Sequence, residues 1–433
     1  MNRMPKSATL ELNPALLEAA KFDQEPQWFA DLRQAAWDQA PDLALPDFAK
    51  INYRHWPLLD FAASGTANET VPAEIAAQQD EYNFVSVGNT TVKLTLPADL
   101  TAQGVVFCDL TTAVKEHGDL LQQYLLTKAI KADEDRLTAV NAALMTTGFF
   151  LYVPANVTIK APISILQVQD SRQASNYVSH SVIVGGDNSN FQVLQRVTTV
   201  GEEKNPASLA VEVITLPGSH VKFSSLDSLG EQTHAYFNRR GHLERDSEID
   251  WTMGVLNDGN TIADFDSDLK GTGSHAEVQT VAISTGKQTQ GIDTSVTNYG
   301  KHSEGNILQR GVLLEKSALV FNGVGKIIHG AHGAQAQQEN RILMLSPEAR
   351  GDANPILLID ENDVIAGHAA SVGRVDQGQM YYLMSRGLTK EVAQRLVILG
   401  FLGVVLSEIP VASVRDQMIA MIERKLINGQ RAE

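Results

Sequence analysis

Few residues in this chain have the type and spacing to do chemistry, and the histidines lead. His368 sits in Ile365-Ala-Gly-His-Ala-Ala-Ser-Val-Gly373, among side chains too small to bury an imidazole, so the ring is expected to be accessible to a partner or a metal ion. His329-Gly-Ala-His332 offers two rings three residues apart. No third ligand follows locally, and the pair reads as histidines of a solenoid turn. Asp264-Phe-Asp266-Ser-Asp268 opens like a calcium loop, but an EF-hand would continue with Gly at its sixth position and Glu at its twelfth. Leu269 and His275 stand there instead, so the segment is expected to be a solvated turn. The acidic residues Glu202, Glu203, Asp360, Glu361 and Asp363 could furnish a catalytic carboxylate pair, although charge runs are usually solvated faces. No phosphate loop, nucleophile elbow or dinucleotide fingerprint is present.

These residues must be positioned by elements that change character along the chain. Residues 1–148 read as a mainly helical region. Pro26 suits a helix start, Trp28, Leu32, Ala35 and Ala36 share one face, and Pro41 ends the run. Residues 43–57, with prolines near both ends, read as an extended connector. Short alternating stretches follow at 82–87, 92–96 and 105–108, then a helical region over about 119–145. From Phe149 the pattern turns to β and stays so to about 375. Ser, any residue, apolar, polar, apolar recurs from Ser189, Ser219, Ser247 and Ser274 at offsets of 30, 28 and 27, with a weaker copy at Ser303. Each copy is a strand with one face in and one out, and a period of this length marks a solenoid. Gly, Asn, Asp, Ser and Thr in the intervals oppose helical repeats, and the leucine-rich consensus is missing. The expected fold is mainly β: a right-handed parallel β-helix over 149–375, flanked by helical regions.

Residues 376–433 return to helix. Asp376 and Thr389 are N-cap candidates, Gly387 suits a C′ position, and a last amphipathic helix covers roughly 411–426. The apolar run 397–406 is too short to span a bilayer and reads as a buried helix face. Its stripe has two readings, a partner surface or a face docked on the chain's own solenoid.

Composition bounds the function. With 35 Lys+Arg against 51 Asp+Glu the net charge is -16, which opposes nucleic acid and anionic membrane as main partners. The single cysteine, Cys108, excludes a disulfide framework and a Cys-based zinc site, reads as a buried strand residue, and cannot hold an iron–sulfur cluster alone. The first residues carry no apolar run of signal-peptide length, and the expectation is a soluble, cytoplasmic protein.

Longer motifs carry a resemblance. Ser317-Ala-Leu-Val-Phe-Asn-Gly323, Lys326-Ile-Ile-His-Gly-Ala-His-Gly-Ala-Gln-Ala-Gln-Gln338, Asn340-Arg-Ile-Leu-Met-Leu-Ser346 and Tyr381-Tyr-Leu-Met-Ser-Arg-Gly387 resemble the SufB/SufD family of iron–sulfur cluster assembly scaffolds. Gly148-Phe-Phe-Leu-Tyr-Val-Pro154 and Glu25-Pro-Gln-Trp-Phe29 are similar too. SufB-type chains carry a cysteine where this one has Ile356 after Pro355. SufD-type chains offer a histidine in Cys-Ser-His-Gly, and here Ala366-Gly-His-Ala369 keeps the histidine while departing at the cysteine and the last glycine.

The resemblance is therefore to the SufD branch. It implies a non-catalytic scaffold that pairs with SufB and binds the SufC ABC-type ATPase through its C-terminal helices, with sulfur arriving by way of a cysteine desulfurase. It also implies a transient cluster shared with SufB, with His368 as metal ligand or second-shell residue. Tyr381, Tyr382, Ser385, Arg386, Gly387, Leu399 and Phe401 are the candidate partner-interface residues, and a homodimer of the isolated chain is a further expected form. The alternative is a carbohydrate-active β-helix enzyme with an Asp/Glu catalytic pair.

Overall fold

The computed structural model describes residues 13–62, 70–407 and 412–431. The start of the chain and the expected beginning of the last helix at Val411 lie outside the described residues. Two long sheets face each other. One has ten strands, running in space from Thr90–Leu94 and Phe84–Val87 through Ile163–Ser171, Asn190–Gly201, His220–Ser228, Glu248–Val255, His275–Ser284, Glu304–Leu313 and Gln335–Met344 to Ile365–Arg374. The other has nine, from Val106–Asp109 and Phe149–Val153 through Tyr177–Gly185, Pro206–Thr215, His234–Leu243, Thr261–Leu269, Thr289–Asn298 and Ala318–Ile327 to Arg350–Ile359. The chain alternates between the sheets, and all pairs are parallel except the first in each sheet. This is a parallel β-solenoid of about eight turns. Its strands begin upstream of Phe149, at Phe84.

The repeat's serine has a structural cause. Ser219, Ser247, Ser274 and Ser303 are buried, and each hydroxyl donates to the carbonyl three residues back, at 2.7, 2.8, 2.8 and 2.7 Å. The residue before each serine is left-handed: Gly218, Asp246, Gly273 and His302. Asn, Asp, His and Gly tolerate that region best. Gly218 is doubly constrained, because a Cβ there would lie 2.4 Å from Asn188 Oδ1 of the coil below. Such corners hold successive strands in register, Asn190 over His220 over Glu248 over His275 over Glu304.

Inside, Phe191, Phe223, Trp251, Phe237, Phe265 and Phe321 share one core. Arg239 is also inside, 1% exposed, forked onto Asp227 at 2.7 Å through both nitrogens and onto Gln195 at 3.1 Å. A buried pair broken by removing one member costs about 3–5 kcal/mol.

Three expectations need correction. The helical region 119–145 is two helices, Gly118–Leu121 and Arg136–Leu144, separated by turns. The buried Glu212 carboxylate of the solenoid takes the N–H groups of Leu126 and Ile130, at 2.8 and 3.1 Å, and Leu126 is left-handed. Tertiary bonding thus breaks what the periodicity joined. Asp264, Asp266 and Asp268 lie on the strand Thr261–Leu269, not in a turn. Their spacing is the two-residue period of one strand face, where Arg240 binds Asp264 and Asp266 at 2.8 and 2.9 Å. The connector 43–57 has turns, and it packs on the nine-stranded sheet: Phe48, Tyr53 and Leu58 cluster with Leu137, Tyr236 and Ile262.

The helix expected after Pro26 is Gln27–Gln39. Its fully buried Arg33 donates to the carbonyls of Ala143 and Met145 at 2.7 Å each, capping the end of Arg136–Leu144. Burial lowers that guanidinium to about 10 despite Glu25. Cys108 is buried in Val106–Asp109, and burial pushes its thiol up to about 12, far from a reactive thiolate.

Candidate functional site

His368 belongs to the last strand of the ten-stranded sheet, Ile365–Arg374, which pairs with Gln335–Met344 on one side only. The other sheet also ends here, at Arg350–Ile359. Both terminal strands thus present unpaired backbone groups, an edge that invites pairing with another chain.

Register assigns the side chains at this end. The inward column reads Phe223, Trp251, Val278, Ile307, Gln338, His368, apolar until its last two members. The imidazole follows Gln338 and is exposed because no coil covers it. Beneath it Gln338 and Asn340 are buried, and Gln338 Oε1 and both amide atoms of Asn340 have no hydrogen-bond partner among the described residues. Gly323 on the facing strand makes room for them, since a Cβ there would lie 2.6 Å from Gln338 Oε1 and 2.8 Å from Asn340 Nδ2. Buried polar atoms left unpaired are costly, so this end has unspent bonding capacity.

The rim is apolar. Ile356, Leu358, Ile359, Ile365 and Val372 are 40%, 50%, 39%, 59% and 40% exposed. Register makes this legible: the outward column His220, Glu248, His275, Glu304, Gln335 ends in Ile365. Likewise Arg240, Asp266, Ser295, Val324 ends in Ile356. Sequence reasoning missed this rim because it followed one strand per repeat and aligned neither column.

His368 belongs to no group of three metal-ligating side chains among the described residues. Among the described residues the one group of three metal-ligating side chains is Glu248, Asp250 and His275, elsewhere on the solenoid. His329 and His332 sit at a turn as expected, 3.8 and 3.4 Å from the two oxygens of Glu361. Backbone N–H groups of Gly330 and Asn362 hold that carboxyl below its ordinary range. Glu202 and Glu203 lie at a corner loop beside Lys204 and Glu231.

The C-terminal helices divide the expected interface residues. Asp376 Oδ1 accepts from Gln379 N at 2.7 Å and starts the helix Gln377–Ser385, and Gly387 closes it with φ +91°. Tyr381 and Tyr382 are 77% and 57% exposed, and Ser385, Arg386 and Gly387 are exposed with them. Leu399 and Phe401 lie on Lys390–Leu406, partly buried. That helix and Ala412–Arg431 spend their apolar stripe on the chain's own solenoid, where Ile398, Leu402, Val405, Met418, Ile422 and Leu426 pack on Leu226, Leu256, Val281, Ile283 and Val312. The buried Lys425 ammonium fastens the last helix to Asn257 O and Asp258 Oδ1 at 2.6 and 2.7 Å. Among the described residues no helix is long and apolar enough to cross a membrane.

A two-sheet β-solenoid sealed along its sides and open at its last coil is the class that fold and site define. Family comparison agrees with it: residues 167–401 match the SufBD core domain of SUF system FeS cluster assembly, and residues 68–165 match the SufBD N-terminal region. The chain is 42% identical to the iron-sulfur cluster assembly protein SufD of Bacillus subtilis, over 93% of this chain and 95% of that one. It is 22% identical to SufB of the same organism, over 91% and 88%, and 22% identical to a SufBD family protein of Staphylococcus epidermidis, over 91% and 88%. The chain belongs to the SufBD family of the SUF iron–sulfur cluster assembly system. Within that family it is SufD-like.

Proposed function

We propose that this chain is a non-catalytic scaffold subunit that pairs with a SufB-type subunit through its open last coil. The observation carrying this is the coincidence, at one solenoid end, of two strand edges unpaired among the described residues, an apolar rim and His368 above buried amide atoms that lack partners there. A second chain seated there would cover the rim and bring further ligands to the imidazole. His368 then serves as a ligand or hydrogen-bonding neighbour of a nascent iron–sulfur cluster, which is the cargo of the complex. One imidazole cannot hold a cluster, but it can complete a shared one. The exposed Tyr381, Tyr382, Ser385, Arg386 and Gly387 receive a SufC-type ATPase, sulfur comes from a cysteine desulfurase through SufB, and the complex works in the cytoplasm. Leu399 and Phe401, partly buried on the next helix, add to this partner surface.

The test is co-expression with SufB and SufC followed by mass determination. A complex containing all three subunits, lost when Ile365 and Leu358 become serine, is the expected result. A chain that purifies alone and captures neither partner overturns the reading. In the intact complex, His368→Ala should lower cluster formation while the complex still assembles. Unchanged cluster formation would remove the role given to His368.

A further inference from the structure

Away from the open end, on the outer face of the ten-stranded sheet, the repeat brings together a set of side chains that the assembly role does not use. Glu248 and Asp250 stand two residues apart on Glu248–Val255, so both point outward, and His275 is the register neighbour of Glu248 on the next strand. One oxygen of each carboxylate and one ring nitrogen of His275 all lie within 4.8 Å of one another. Small side-chain rotations bring three such atoms to the roughly 2.0–2.2 Å bonds of a divalent ion.

The surroundings favour a cation. Four carboxylates, Glu248, Asp250, Glu277 and Glu304, face one ammonium, Lys222, across four neighbouring strands. His220 Nδ1 lies 2.9 Å from Glu248 Oε2, the kind of outer contact that orients a ligating carboxylate. Asp250 and Glu277 line a cleft of about 80 Å³ together with Gln279. Gln279 is 8% exposed and hydrogen-bonds Glu277, while its Oε1 is buried with no donor among the described residues. The cleft adjoins the Glu248–Asp250–His275 group through Asp250, and an ion on that carboxylate relieves the crowding of negative charge on this face.

We infer that Glu248, Asp250 and His275 form a site for a borderline divalent transition ion of the zinc(II) kind, distinct from the open end. One imidazole with two carboxylates suits such an ion, whereas magnesium and calcium prefer all-oxygen sets. Lys222, 2.9 Å from Asp250 Oδ2, is the competitor that the ion displaces. That competition gives the proposal a signature that unfolding cannot imitate.

The experiment titrates the untagged full-length chain with Zn²⁺ by calorimetry and with Co²⁺ by visible absorption. One ion per chain is expected, with d–d bands of a nitrogen- and oxygen-ligated cobalt. His275→Ala and Asp250→Asn should weaken binding by about 10-fold or more, whereas Lys222→Ala should tighten it. Binding should survive His368→Ala and the double change His329→Ala with His332→Ala, and Mg²⁺ should not compete. Absence of Zn²⁺ binding, binding indifferent to His275→Ala, or weakening on Lys222→Ala would each overturn the assignment. Melting curves of the variants check that His275→Ala acts on the ion and not on the fold.

Discussion

The two ends of this solenoid are built from the same repeat and finished differently. Toward the N-terminal end the helix Arg136–Leu144 lies on the outer face of the third and fourth strands of the nine-stranded sheet, and the buried His180 and Glu212 beneath it are hydrogen-bonded. His180, 1% exposed, meets Asn141 Oδ1 at 2.9 Å and Glu212 Oε1 at 3.0 Å, and Glu212 takes two backbone N–H groups besides. At the C-terminal end His368 is exposed, Gln338 and Asn340 keep unpaired atoms, and apolar side chains face water. A solenoid must cap its ends to avoid edge association. Toward its N-terminal end this chain covers a sheet face with its own helix, whereas its last coil is left open among the described residues, the end proposed above to receive a second subunit. His180 is spent on internal hydrogen bonds, whereas the His368 ring is exposed.

The most severe way to break that contrast is to make the closed end resemble the open one. Glu212→Ala strands His180 and the N–H groups of Leu126 and Ile130 in a buried setting, and the expected cost is about 3–5 kcal/mol. Urea unfolding of the isolated chain measures it. A loss below about 1 kcal/mol would mean that the cap is not held as described. Leu402→Ala attacks the side instead, deleting a fully buried side chain between the C-terminal helices and the solenoid. The expected loss is about 2–5 kcal/mol, confined at first to residues 390–431, so hydrogen exchange should speed up there before the strands respond.

What could be read from the sequence follows the same division. The Ser-x-apolar-polar-apolar copies gave five strands of one sheet with correct register, because their serines and left-handed neighbours are local devices. The second sheet carries no equally regular signature and was not delineated. The break between Leu121 and Arg136 was invisible because a carboxylate 86 residues away from Leu126 causes it. The expected exposure of the His368 ring holds, through its place on the last strand as well as its small neighbours. The apolar rim and the Glu248–Asp250–His275 group appear only when successive coils are stacked in columns.

Asp293 sharpens the comparison midway along the stack. It stands in the outward column Asn238, Asp264, Asp293, Asn322, Asn354, accepting from Asn322 Nδ2 at 2.6 Å. Burial raises its carboxyl to about 8, with Asp264 and Asp47 adding repulsion. A carboxyl with a folded pKa above its unfolded value of about 3.9 binds more protons in the native state. The stability it supplies is therefore lost as pH rises from about 4 through about 8. Asp293→Asn should flatten that slope and leave the variant more stable than the parent above pH 8. Melting temperatures across pH 4–9 decide it, and an unchanged slope would place the titration elsewhere.

The smallest effect on stability is expected at the open end, and its smallness is the point. Leu358→Ser and Ile365→Ser remove side chains that are 50% and 59% exposed, and His368→Ala removes an exposed ring with no ligand group among the described residues. Each should shift the stability of the isolated chain by no more than about 0.5 kcal/mol. The same serines should weaken pairing with the second subunit, because apolar area that is free in the monomer is what an interface buries. Unfolding of the monomer and sedimentation of the complex therefore respond in opposite proportion at the two ends. Glu212→Ala moves the first strongly, whereas Ile365→Ser moves only the second. If Ile365→Ser or Leu358→Ser instead destabilised the monomer as much as a core substitution, the last coil would be part of the chain's own packing. The proposal that a second subunit covers the open end would then fail.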